Sequence, residues 1–168
     1  MTNLSKEVLA IARAFADQQY KEKPNNDNQF GIWYGRNNVP WCAIFVSYCF
    51  SKAGAAAIVK NVQTPKGFHS CTAAVTHYRH NNQIITAAQA QAGDIVFMDF
   101  TGNGEYNHVG LCISNNGKEL HTVEGNTINP NGTGDQTNGD GVYYKHRRYQ
   151  YITAVVRPSW KLLDKKEK

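Results

Sequence analysis

GDIVFMDF, residues Gly93 to Phe100, is where this chain changes period. From here on, β-branched residues alternate with others at a spacing of two. DIVFMDF, HVGLCIS, ELHTVEG, GVYYKHRR and YITAVVRP read as five strands, separated by turn-rich segments such as TGNGEYN and SNNGK. Upstream the spacing is helical: Val8, Ile11, Ala12 and Phe15 fall at i, i+3, i+4 and i+7 within Leu4–Gln19. Helices first and strands afterwards predict an α+β domain, its N-terminal helices packed on an antiparallel sheet of about five or six strands. The long NTINPNGTGDQTNGDG segment between two strands is expected to be an exposed loop.

Between the first helix and the sheet, KEKPNNDNQFGIWYGRNN reads as a loop carrying Phe30, Trp33 and Tyr34. Pro40 can open a second helix, which runs to about Lys52 and stops before Gly54. A third spans Thr72 to His80, with Ser70 as its N-cap.

The 168 residues are expected to form one domain over positions 1–160, with a basic tail over 161–168. A hydrophobic content of 41% and 18% charged residues are those of a globular protein rather than a disordered one. The net charge of +5 favours an anionic partner. The basic residues are scattered and form no basic helix or aromatic-basic motif, which argues against nucleic acid. The N-terminus carries Lys6, Glu7 and Arg13 among its apolar residues, so neither a signal peptide nor a membrane-inserting span is expected. The chain should therefore stay in the cytoplasm of its producer or host until released, and a monomer is the expected state. Its four cysteines show no CxxC pair, and free thiols are the default reading.

One of those thiols has the position of a nucleophile. Cys42, in VPWCAIFVSYCF, falls at the start of the second helix, where unpaired amides and the positive end of the helix dipole favour thiolate. The same amides suit an oxyanion during acyl transfer. Cys49 and Cys71 read as buried structural residues. Of six histidines, His108 is the best base by pattern. It begins a strand in which Val109, Leu111 and Ile113 face one way, and His108, Gly110 and Cys112 the other. Gly110 would leave room there for another chain or a substrate. On the following strand Glu124 and Asn126 share a face if the strand continues that far, and either would orient the imidazole. The order of nucleophile, base and orienter follows papain-like logic.

At these residues the sequence resembles a known family. PWCAIFVSYCF, GDIVFMDF, NHVG and VEGNT, in that order, are similar to the cysteine- and histidine-dependent amidohydrolase/peptidase (CHAP) domain. NNDNQFGIWYG resembles a segment found in a subset of these domains from phage lysins. The resemblance runs from about Leu4 to Trp160. It implies a papain-like α+β fold and hydrolysis of amide bonds in bacterial peptidoglycan, as a muramoyl-alanine amidase or a stem-peptide or cross-bridge endopeptidase. Carried over, Cys42 is the nucleophile, His108 the base, and Glu124 with Asn126 the orienting pair. Trp33, Tyr34 and Trp41 are then expected to line the substrate groove, with Tyr34 a second oxyanion donor. No cofactor is required. Some members bind calcium through aspartates upstream of the nucleophile, but here that region holds only Asp27. Asp135, Asn138 and Asp140 in DQTNGDG resemble a calcium loop without its terminal Glu or regular spacing. Many lysins add a wall-binding domain; targeting here would come from the catalytic domain, a separate wall-binding subunit or the positive charge.

Two rivals follow from the same residues. His108, Cys112 and His121 could hold zinc in a metal-dependent amidase. Alternatively, the chain binds peptidoglycan without cutting it, for instance in a phage tail.

Overall fold

The computed structural model describes residues 1–160; the basic tail read from the sequence lies outside the described residues. Five helices come before six strands. They are α1 (Asn3–Asp17), α2 (Gln29–Tyr34), α3 (Cys42–Lys52), α4 (Ala56–Val59) and α5 (Cys71–His80). The strands are β1 (Ile84–Ile85), β2 (Ile95–Met98), β3 (His108–Asn115), β4 (Glu119–Thr127), β5 (Gly141–Arg148) and β6 (Ile152–Val156). They form one antiparallel sheet in the order β1-β6-β2-β3-β4-β5. This is the α+β architecture expected, with the two-residue β1 added at an edge.

Period 2 sorts the strand residues onto two faces. Ile95, Phe97, Val109, Leu111, Val123 and Val156 meet the buried sides of α1, α3 and α5 in the main core. Val96, Met98, Cys112, Leu120 and Val155 form a smaller cluster on the other face. β2 is therefore buried on both sides, which is why its sequence is an unbroken apolar run rather than an alternating one. α3 is apolar all round for the same reason and packs against β3 and β4. Each of its large side chains, such as Ile44, Phe45 and Phe50, contributes about 1.5–3 kcal/mol by leaving water.

The ends of the helices explain two differences from the sequence reading and one agreement. The expected loop at 21–38 contains α2, short but capped at both ends: the Asn28 side chain accepts from the Gly31 amide, and Gly35 takes the left-handed conformation (φ 87°). Pro40 precedes the second helix instead of opening it, and Cys42 is the first helical residue. Ser70 does cap the helix that follows, accepting from the Ala73 amide.

Candidate active site

At its start α3 differs from α1, α2 and α5. Thr2, Asn28 and Ser70 cap α1, α2 and α5 with side-chain oxygens, whereas no side chain caps α3. Its first-turn amides are left for another acceptor, and Cys42 stands among them. Beside it are the His108 imidazole, from the first residue of β3, and the Cys71 thiol, from the first residue of α5.

His108 is completely buried. Its Nε2 lies 2.8 Å from Glu124 Oε2, and its Nδ1 makes no hydrogen bond and is left to the side of Cys42. Glu124 is held in turn by Arg147, which donates from Nε to Oε1 (2.8 Å) and from Nη2 to Oε2 (2.6 Å). Thr122 Oγ1 donates to Oε1 as well. A chain of charge therefore runs Cys42, His108, Glu124, Arg147 through the end of the sheet. Only Cys42 of the first three has any exposure, 6%, so it is the member a substrate can reach.

The charges stabilise one another. The Cys71 thiol, the His108 imidazole and the Ala43 amide outweigh burial and hold Cys42 well below the ordinary thiol range. Burial opposes charge on His108, but Cys42 and Glu124 outweigh it and push the imidazole up to about 9. Burial also works against the Glu124 carboxylate, yet Arg147 and His108 hold it far below the usual range. Cys71 moves the opposite way from its neighbour, well above the ordinary thiol range, because Cys42 beside it and burial both disfavour a second thiolate. The two shifts run in the directions that favour a thiolate–imidazolium pair, and Glu124 fixes the imidazole ring from behind.

Two glycines make this geometry possible. A Cβ on Gly110 would stand 2.5 Å from Glu124 Cγ, so the room left by that glycine is filled by the carboxylate and not by a substrate. A Cβ on Gly125 would stand 2.7 Å from both Phe45 and Trp41, so this glycine lets β4 approach α3 closely.

Glu124 and Asn126 part company. The β4–β5 register shifts between Glu124 and Thr127, and Asn126 takes φ 55°. Asn126 therefore makes no bond to His108; its Nδ2 donates to Thr137 O (3.1 Å), across the 128–140 loop. The groove residues also divide. Trp41 is completely buried, stacked on Phe30 and donating to Glu22, so it belongs to the core and lines no groove. Tyr34 is largely buried, its hydroxyl shared with Thr64 Oγ1 (2.7 Å), an occupied group rather than a free oxyanion donor. It lines an open cleft of about 400 Å³ with Gly35, Arg36, Thr64, Lys66 and His69, two residues from Cys71. Trp33 is half-buried against Tyr48, with the Lys66 ammonium over its ring. A second cleft, of about 730 Å³, lies behind the site on Phe100, Lys145 and Arg147 and does not open onto Cys42.

The metal readings fare differently. Cys112 sits in the small far-face cluster, and its thiol contacts Ser114 O. His121 points away from it, toward Glu119 and His146, so His108, Cys112 and His121 are not brought together as a zinc site. The carboxylates considered for calcium are committed elsewhere: Asp27 to Asn37, Asp135 to Thr137, and Asp140 to Lys21 and Tyr143. They do not converge, and this donor set does not fit a calcium ion.

Sequence reasoning missed Arg147 and Cys71. Arg147 lies in the basic stretch KHRR, yet alternation on β5 puts Lys145 and Arg147 on the buried face, at 8% and 6% exposure. For Cys71 the signal was its position beside the N-cap Ser70, a helix start like that of Cys42.

Residues 33–126 match the model of the CHAP domain. No curated protein matches the chain. Among solved structures, the wild-type endolysin LysIME-EF1 is similar at 16% identity and a TM-score of 0.56, over 94% of this chain and 65% of that one. Ly7917 is similar at 17% identity and a TM-score of 0.54, over 92% and 62%. The structure of Ly7917 with "the hydrolyzing product of MDP" gives 18%, 0.53, 92% and 62%. The chain thus spans slightly less than two thirds of the proteins it resembles, and at these identities the likeness is one of fold.

Proposed function

The chain belongs to the CHAP domain family, and on that premise we propose that it hydrolyses amide bonds of bacterial peptidoglycan with Cys42 as nucleophile, in the manner of a phage lysin. The observation that carries this reading is the buried run from His108 to Glu124 to Arg147, ending on a thiol at the uncapped start of α3.

In the proposed reaction, Cys42 Sγ attacks the amide carbonyl carbon, and the electron pair of the C=O bond moves to oxygen. The free amides at the start of α3 donate to that oxyanion. Collapse breaks the C–N bond as the His108 imidazolium gives its proton to the leaving amine. Neutral His108 then takes a proton from water, whose oxygen attacks the thioester and releases the acid and the thiolate. Glu124 accepts from Nε2 throughout, keeping Nδ1 toward sulfur. Arg147 keeps Glu124 ionised, and Asn126 acts at one remove by tying the 128–140 loop to β4. Tyr34 and Trp33 flank the approach from the His69 side. The cut is an N-acetylmuramoyl-L-alanine bond or a bond of the stem peptide or cross-bridge; mass spectrometry of digested walls assigns it.

The test is release of new amine ends from purified walls. Cys42→Ala should abolish it, by at least 10³-fold on the scale of lost nucleophiles, and a thiol alkylator should do the same to the unaltered chain. Full turnover by Cys42→Ala would sink the proposal.

A further inference from the structure

His121 on β4 and His146 on β5 stand directly opposite each other in the antiparallel register, and Glu119 lies two residues before His121 on the same face. The two imidazole rings are 3.9 Å apart between centroids. His146 Nδ1 lies 3.0 Å from Glu119 Oε1, and His121 Nε2 lies 3.9 Å from that same oxygen. One nitrogen from each ring and one carboxylate oxygen all fall within 4.8 Å of one another, the single such group of three among the described residues. Arg148 is the register partner of Glu119, yet the carboxylate is turned to the two histidines.

We propose that Glu119, His121 and His146 form a surface site for a divalent transition metal of the zinc class, clipping β4 to β5. Two imidazoles and a carboxylate are donors that such an ion takes. Tetrahedral bonds of about 2.1 Å set donors about 3.4 Å apart, so the observed spacing needs only small side-chain rotations. The side chains of His121 and His146 are 40% and 62% exposed, which gives an ion entry and leaves room for water as the fourth ligand. The residues sit on paired strands and not on loops, so the donors are held before the metal arrives. The site is separate from Cys42 and His108 and does not depend on their chemistry. Its consequence is structural: β4 and β5 carry Glu124 and Arg147, and an ion bridging them would hold the ribbon that positions both.

Zn²⁺ alone, titrated calorimetrically into the full chain, tests this. One equivalent should bind, with affinity lowered at least tenfold in His121→Ala/His146→Ala and in Glu119→Gln, and unchanged in Cys42→Ser. Zinc should raise the unfolding midpoint of the unaltered chain and leave that of the double variant where it was. Should the double variant fail to fold, zinc-induced shifts of the His121 and His146 ring protons in the unaltered chain provide the same reading. Affinity retained in both variants, affinity lost in Cys42→Ser, or ring signals that do not move would each overturn the site.

Discussion

Cys42 and His108 share one proton between two buried groups, and the sign of each shift fixes the pH behaviour of the pair. Activity should rise with pH as Cys42 loses its proton, at a pH well below that of an ordinary thiol. It should fall again as the imidazolium deprotonates near about 9. The same groups govern stability. A raised His108 contributes fully below its ordinary value of 6.5 and less as pH climbs through about 9. A depressed Glu124 contributes above its ordinary 4.5, and that contribution goes as acid reaches its folded-state value. Cys71 supplies the sharper test, since its thiol is the largest influence lowering Cys42. Cys71→Ala should move the acid limb of kcat/KM upward, by roughly one pH unit for a lost hydrogen bond to charge, and leave the alkaline limb near 9. An acid limb that stays in place would show that Cys71 only packs.

At the scale of elements, what was legible is what repeats. The period of 3.6 in α1 and of 2 in β3–β5 runs long enough to read, His108 and Glu124 lie at or near the ends of such runs, and Cys42 is marked instead by the Pro40 just before it. The rest depended on single residues. α2 forms on an Asn28 cap and a left-handed Gly35, which period cannot reveal. The bulge after Glu124 separates it from Asn126, although their spacing of two predicts a shared face. Trp41 is expected with the loop aromatics of the groove, but the residue before a buried helix is itself drawn into the core. Gly125 carries the tightest consequence of the α3–β4 contact. Gly125→Ala should destabilise the fold by about 1–3 kcal/mol, because the new methyl meets Phe45 and Trp41 at 2.7 Å. Pushing α3 off β4 also moves Cys42 from His108, so kcat should fall further than stability alone explains. A thermal melt and single-turnover kinetics on the folded variant check both; an unchanged melting point would mean that α3 and β4 tolerate separation.

For the whole molecule, the sheet divides two tasks. Its helix-covered face holds the main core, and the buried ion chain crosses at the end where α3 meets β3. The sequence carries a formal charge of +5, most of it scattered along the chain, which suits a partner that is itself extended and anionic. Such attraction acts at a distance and is screened by salt: the Debye length shrinks from about 10 Å at 0.1 M to about 3 Å at 1 M. The catalytic pair, buried and only ångströms across, is screened far less. Raising salt across that range should therefore slow hydrolysis of intact walls through a higher apparent KM, with kcat nearly constant. A short neutral fragment containing the same bond should be cut at a rate almost independent of salt. Equal salt sensitivity for walls and neutral fragment would place the effect inside the active site and remove surface charge as the means by which this chain finds the wall.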